Sequence, residues 1–246
     1  MARTRLYIDV ALETGSEIAV SGDKARYLGK VLRLRVGDQV AVFNGRDGEF
    51  EAQLSRISKQ EVELVLGAAS ETRTESELKI HLVQGISRGE RMDLVVQKAT
   101  ELGVKRITPV LTEYGVVKLA AERASKRQEH WQKIAISACE QSGRTRPPLV
   151  ELPLTLKDWF GQRSQRADVE LILRPGAAST LSSIAAPQTK VCLMIGPEGG
   201  FSQSEYEDAA VCDFVPVSLG PRILRTETAA ITALAIAQSL WGDLQA

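Results

Sequence analysis

The sequence predicts an α/β protein in which a mostly parallel sheet carries helices on both faces and a small β-barrel module precedes it. Three observations predict this. From residue 79 onward, apolar runs of strand length alternate with stretches of helical periodicity, the pattern of parallel strands joined by crossover helices. Two of the later runs, Val191 to Ile195 and Phe214 to Val217, break into glycine and proline and then hand over to helices. Before residue 72 the texture is different, with short period-two runs separated by tight turns, as in a small barrel.

In the first module Asp23 is placed to cap a short helix that runs through Leu32. On that helix Arg26, Lys30 and Arg33 fall at i, i+4 and i+7 and share one face, while Ala25, Leu28 and Leu32 form the apolar face. Alternating runs follow at Val40 and Val42, at Phe50, Ala52 and Leu54, and at Val62, Leu64 and Leu66. Asn44-Gly45-Arg46-Asp47-Gly48 is a hairpin turn between the first two. A β-module with a basic stripe suits RNA, and the same stripe also suits a plain solvated face. Ala68 to Glu77 is polar and aperiodic and reads as a linker, which gives domains at 1–72 and 73–246.

The second domain alternates. Lys79 to Ile86 is a strand, and Glu90 to Leu102 is a helix with Met92, Val95, Val96, Ala99 and Leu102 on one face. Gly103 ends that helix. Arg106 to Leu111 is a strand, Lys118 to Gln141 a long helix with Trp131, Ile134, Ala135 and Ala138 inward, and Val169 to Leu173 a strand. Basic residues from Lys118 to Arg146 outnumber acids. On the helix they fit i,i+4 pairs such as Glu129/Lys133, whereas the loop Glu140 to Pro148 is broken by glycine and proline, doubly basic, and carries side chains able to read base edges. The last helix, from about Thr228 to Trp241, is apolar nearly all round, so it is buried on several sides, in the core or against a second subunit.

The two broken stretches are Met194-Ile195-Gly196-Pro197-Glu198-Gly199-Gly200-Phe201-Ser202 and Leu219-Gly220-Pro221-Arg222-Ile223-Leu224-Arg225-Thr226-Glu227-Thr228-Ala229. Loops at the carboxyl ends of strands are where α/β sheets bind ligands. Ser202 and Glu205 form a capping box that starts a helix, and Thr226 and Thr228 are candidate caps for the last one. Neither a dinucleotide Gly-x-Gly-x-x-Gly nor a P-loop is present. Glu198 disfavours a phosphate and suits a ribose hydroxyl or a positive centre. Small residues beside Arg222, Arg225 and Glu227 fit a nucleoside with charged groups better than a polyphosphate.

Together these two motifs resemble the SPOUT methyltransferases, and more narrowly the family that methylates N3 of a uridine in bacterial 16S ribosomal RNA. Leu28-Gly29-x-Val31-Leu32-Arg33-Leu34-x-x-Gly37-Asp38 is similar to that family's PUA-like domain, and Ala99-Thr100-Glu101-Leu102-Gly103-Val104 and Glu140-Gln141-Ser142-Gly143-Arg144 also match it. The resemblance implies a SPOUT-type parallel sheet with a C-terminal trefoil knot, a PUA-like RNA-binding β-barrel, an S-adenosylmethionine (SAM) site and a homodimer. It places the cofactor against Leu173, Gly196, Pro197, Glu198, Gly199, Gly200, Leu219, Gly220, Ile223, Leu224, Thr228 and Ala229. RNA contacts fall to Arg26, Lys30, Arg33, Arg88, Arg91, Gln141, Arg144 and Arg222, with the small ribosomal subunit as partner. One departure is Thr112-Glu113-Tyr114-Gly115, where the family usually carries Thr-Glu-Arg-Ser.

The implied chemistry has physical demands. A uridine N3 is a poor nucleophile while protonated, so its proton must leave or the anion be stabilised. Glu198 is the candidate carboxylate, with holding the cofactor ribose as its other role, and Arg225 the candidate for stabilising charge on the uracil carbonyls or contacting phosphate. Other outcomes are a SPOUT enzyme acting on another RNA, such as tRNA 2′-O-methylation, or an RNA-binding assembly factor with a dead site. Lys plus Arg and Asp plus Glu are equal at 31 each, so RNA must be met by local patches. Three cysteines without C-x-x-C spacing and two histidines predict no metal site and free, buried thiols. No signal-peptide core and no bilayer-length apolar run occur, which predicts a cytoplasmic protein without membrane contact.

Overall fold

The computed structural model describes residues 4–58, 60–71, 73–115, 121–163 and 166–244. Two compact units emerge, Met1–Glu75 with Cys139–Pro147, and Ser76–Ala138 with Pro148–Ala246.

The first unit holds strands β1 (Arg5–Tyr7) and β2 (Glu17–Ser21), helix α1 (Gly22–Arg26), and strands β3 (Gln39–Phe43), β4 (Glu49–Ile57) and β5 (Glu61–Ala69). The strands form one sheet in the order β1-β3-β4-β5-β2. Register shifts between Phe50 and Ala52 and between Leu54 and Arg56 curl it into a half-barrel. The alternation is obeyed: Val40, Val42, Ala52, Leu54, Val62, Leu64 and Leu66 are buried on one core with Leu6 and Leu28. In the β3–β4 turn Asn44 Oδ1 accepts from the amides of Arg46 and Asp47 at 3.1 and 2.9 Å, and Gly45 and Gly48 take positive φ.

Three expectations for this unit are corrected. Ser21, not Asp23, is the residue before α1, and Asp23 lies in its first turn. Beyond Arg26 the helix widens into a π-turn over Tyr27–Val31, and Arg33 follows with φ 55°. Arg26, Lys30 and Arg33 are all exposed, but the wider turn and the left-handed residue break the i, i+4, i+7 phase that would align them. The polar linker starts later than Ala68, because β5 runs to Ala69.

The second unit carries β6 (Lys79–Gly85), α2 (Arg91–Glu101), β7 (Arg106–Leu111), α3 (Ala121–Ser142), β8 (Leu149–Val150), β9 (Leu154–Thr155), α4 (Leu156–Gln162), β10 (Val169–Leu173), β11 (Ser179–Thr180), β12 (Lys190–Ile195), α5 (Gln203–Val211), β13 (Val215–Ser218) and α6 (Thr226–Trp241). The last turn of α3 belongs to the first unit. Lys118, the expected start of α3, lies outside the described residues. The order is β11-β13-β10-β12-β6-β7-β8, with β9 on β7, and every pair is parallel. β13 sits between β10 and β11, two strands joined by the short segment 174–178. A late part of the chain is therefore inserted between two consecutive earlier strands.

Two cores flank this sheet. Leu82, Met92, Val95, Val96, Ala99, Trp131, Leu193, Ala230, Ala233 and Leu234 form one. Trp159, Phe201 and Phe214 with Met194 and Ile172 form the other. Helix α6 packs on α2 and β12; its buried Gln238 accepts from Ser76 Oγ at 3.0 Å and donates to Leu102 O at 2.8 Å. Its other side is not closed: Leu240 is exposed and Ile231, Ala235 and Ile236 are half-buried. Among the described residues no helix is long and apolar enough to cross a membrane.

Candidate functional site

The carboxyl ends of β10, β12 and β13 open on a cavity of about 520 Å³ lined by both glycine motifs. β6 and β12 run side by side up to Gln84 and Ile195. A Cβ on Gly85, at the end of β6, would stand 2.3 Å from Pro197 Cδ, so only glycine lets the first motif turn here. A Cβ on Gly196 would meet Gly200 at 3.1 Å, and Gly200 N donates to Pro197 O at 2.9 Å. The loop is thereby folded on itself, with Gly200 at φ 70°. The capping box then starts α5: Glu205 N donates to Ser202 Oγ at 3.2 Å and Ser202 N to Glu205 Oε2 at 2.8 Å.

The second motif begins at Gly220, φ 96°, and ends in α6. The expected caps are corrected: Arg225 is the residue before α6, without a side-chain bond, and the helix starts at Thr226. Thr226 has another task. Its hydroxyl donates to Gly196 O at 2.6 Å and accepts from Gln84 Nε2 at 3.0 Å. One buried threonine thus ties together the end of β6, the first glycine loop and the first turn of α6.

Of the residues expected to face the cofactor, Leu173, Gly196, Pro197, Glu198, Gly200, Leu219, Gly220, Ile223, Leu224 and Ala229 line the cavity, and Arg225, Arg222 and Arg91 join them. Gly199 and Thr228 do not. Gly199 instead lets the backbone of Tyr114 pass, since a Cβ there would lie 2.8 Å from Tyr114 O. Thr228 is exposed on α6. Tyr114 is itself 53% exposed, and a Cβ on Gly115 would press on Thr112 O and Oγ1 at 3.0 Å. The departure Tyr114-Gly115 is therefore a tight turn packed against the first motif.

Charges in the site are committed unequally. Glu198 Oε1 accepts from Arg91 Nη1 at 2.5 Å and from the Arg88 amide at 3.1 Å. Burial pushes the Glu198 carboxyl up, but the hydrogen bonds from its own loop amide, Arg91 and Arg88 outweigh this and hold it below the ordinary range. Glu227 lines the same cavity, and its Oε2 is buried without a hydrogen-bond partner. Arg174 stacks 4.7 Å over Tyr206, whose hydroxyl donates to Leu173 O at 3.2 Å. The sequence reading points to Leu173, through the resemblance, and to Glu227 in the second loop, but not to Arg174, Tyr206 or Thr226 as cavity residues. Thr226 stands inside the quoted motif, where it reads as a cap.

In the first unit Arg26, Lys30, Arg33 and Gln141 are exposed. Arg144 is corrected: it is 3% exposed and pairs with Glu75 at 2.8 Å, and Glu75 also accepts the amides of Thr145 and Arg146. Arg5 donates to Glu49 and to the carbonyls of Cys139, Glu140 and Arg144. The loop expected to read bases is thus a structural clamp through Arg144. Burial pushes the Cys139 thiol up to about 12 and raises that of Cys192 as well, so both are inert at neutral pH.

Residues 74–238 match an RNA methyltransferase domain family and residues 20–67 an RNA methyltransferase PUA domain family. The chain is 36% identical over 240 residues to a ribosomal RNA small subunit methyltransferase E from Buchnera aphidicola subsp. Schizaphis graminum, covering 98% of this chain and 97% of that one. It is 33% identical over 232 residues to the enzyme of that name from Bacillus subtilis, covering 91% and 90%. The crystal structure of a ribosomal RNA small subunit methyltransferase E from Neisseria gonorrhoeae bound to S-adenosyl methionine superimposes with a TM-score of 0.93 at 37% identity, covering 99% and 100%. The chain belongs to the ribosomal RNA small subunit methyltransferase E family.

Proposed function

We propose that the protein transfers a methyl group from SAM to N3 of a uridine in 16S ribosomal RNA of the small ribosomal subunit. The observation that carries this is the cavity built from two glycine motifs at the carboxyl ends of parallel strands, in a chain whose solved relative holds SAM. The residues fit that molecule. Gly196 and Gly200 bring side-chain-free backbone to the cavity, and Leu173, Ile195, Leu219, Leu224 and Ala229 give apolar walls. When bound, SAM supplies the electrophilic methyl group. Pro197, Gly220 and Ile223 complete its binding set.

Within the site, Glu198 anchored on Arg91 and Arg88 suits holding the loop or a ribose hydroxyl better than removing a proton, since a carboxylate held low is a weak base. Arg225 is proposed to steady charge on the uracil carbonyls, and Arg222 to meet RNA. Arg26, Lys30 and Arg33, each exposed though out of helical phase, are proposed as separate RNA contacts of a PUA-like module over 1–72, ahead of a catalytic domain over 73–246. We infer a trefoil knot, supported by the insertion of β13 between β10 and β11. We also infer a cytoplasmic homodimer, supported by the apolar side that α6 leaves open.

The test is transfer of labelled methyl from SAM to small-subunit particles stripped of modification, followed by identification of the product nucleoside. 3-Methyluridine is expected. Any other methylated nucleoside, or none with SAM bound, overturns the assignment.

A further inference from the structure

Two carboxylates line the cavity, Glu198 and Glu227. Glu198 is spoken for by Arg91 and the Arg88 amide. Glu227 has no ion-pair partner among the described residues, and its Oε2 is shut from solvent without a donor. A buried carboxylate oxygen in that state lacks the hydrogen bond that would stabilise its anion, which leaves Glu227 as the uncommitted acid of the cavity. Glu227 is also held firmly, because the preceding residue, Thr226, is fastened to Gly196 O and Gln84. Functional groups on such supported elements keep their geometry.

The hydrogen-bonding edge of uracil presents acceptor, donor, acceptor: O4, N3–H and O2. A complementary wall presents cationic donors flanking an acceptor. The second motif brings Arg222, Arg225 and Glu227 to one cavity, which supplies both kinds of group. We propose that Glu227 takes the N3 proton of the target uridine, an inference that rests on the N3-methylation assignment above. The N3–H bond breaks and its proton passes to the Glu227 carboxylate. The electron pair left on N3 forms the bond to the methyl carbon, as the carbon–sulfur bond of the donor breaks and its pair returns to sulfur. Charge and atoms balance without a further reactant.

Glu227→Gln keeps shape and polarity but cannot take the proton. With the full-length protein, SAM affinity is read by calorimetry, and single-turnover transfer to stripped particles is followed across pH. A second set of particles carries 5-fluorouridine, whose N3 is more acidic. The expected result is a SAM Kd within about twofold of wild type, a transfer rate lower by roughly 100-fold or more, loss of the acid limb of the pH profile, and recovery of most of the rate on 5-fluorouridine. A merely structural role would not be rescued by a more acidic base.

A large fall in SAM affinity with a near-normal rate at saturating SAM would show that the carboxylate serves the methyl donor, and would overturn the proposal. Equal losses on uridine and 5-fluorouridine would overturn it too. If Glu227→Gln does not fold, Glu227→Asp takes its place, with a slowed rate on uridine that 5-fluorouridine restores. A wild-type product other than 3-methyluridine would remove the N3 assignment itself, and the role of Glu227 with it.

Discussion

At the carboxyl ends of β10, β12 and β13 the cavity measures about 520 Å³. At the amino ends of β6, β7 and β12 a larger one, about 840 Å³, lies among Lys79, Lys105, Arg106, Arg163, Arg166 and Lys190. Volume and positive charge alone would choose the second. Its acids, however, are already engaged. Glu151 pairs with Arg106 at 3.3 Å, Asp158 accepts from Thr155 at 2.7 Å, and buried Glu170 pairs with Arg163. The Arg163 guanidinium lies 4.9 Å from the Trp159 ring and 5.0 Å from Phe214. Although Arg163 and Glu170 leave some polar atoms without hydrogen bonds, the two form a closed pair of opposite charge. The smaller cavity holds glycine backbone and a carboxylate, Glu227, with one oxygen that accepts no hydrogen bond among the described residues. A ligand site is marked by what is left unsatisfied, while the amino end uses charge for stability.

This contrast is breakable by mutation. Arg163→Ala, at the amino end, strands the buried Glu170 carboxylate. Removing one partner of such a pair costs about 3–5 kcal/mol, to be read by urea unfolding, while the SAM Kd of the folded protein stays at the wild-type value. A drop in SAM affinity would join the two ends functionally.

Gly85→Ala acts at the other end. Its Cβ would overlap Pro197, costing about 1–3 kcal/mol by overpacking. Unlike the first variant, it should also weaken SAM binding by tenfold or more in calorimetry.

A pH series sharpens the picture of the amino end. Burial, with help from Arg106 and Arg163, lowers His81 to about 3 from an ordinary value of 6.5. Between those values the unfolded chain binds a proton that the native protein refuses, so stability is fully present above 6.5 and falls as pH drops toward 3. The expected slope is about 1.4 kcal/mol per pH unit inside that window, and His81→Asn should remove it. A slope unchanged in the variant would clear His81.

The smallest effect belongs to Ser202→Ala. It deletes one half of the capping box on α5, for a loss of about 1 kcal/mol in a thermal melt.

The strands β6, β7, β10 and β12 were legible because burial on both faces writes an apolar run into the chain. In the same unit four short elements were not: β8, β9 and β11, of two residues each, and α4; nor were β1 and β2 of the first unit. α4 did carry a start signal, since Thr155 accepts from the Asp158 amide at 3.0 Å, but seven residues are too few for periodicity. The site was visible as two motifs, yet its wiring was not. Thr226 looks like a helix cap until Gly196, thirty residues earlier, is brought beside it. Arg144 looks like an RNA contact until Glu75 closes over it from sixty-nine residues away. Local pattern records which face is buried. It does not record which distant polar group completes a buried one.

Gln238 has a consequence for synthesis. Its bonds to Ser76 and Leu102 span 162 and 136 residues, and β6 pairs with β12 across more than a hundred. A ribosome releases roughly 5–20 residues per second, so some 8–32 seconds pass between the appearance of Ser76 and that of Gln238. Until β12 is made one edge of β6 lacks its neighbour, and to the end of the interval the apolar face of α2 lacks a complete α6. The nascent chain therefore waits, half-built and adhesive, for its last helix, and that window is where a chaperone that shields exposed strand edges would raise the yield of native protein most.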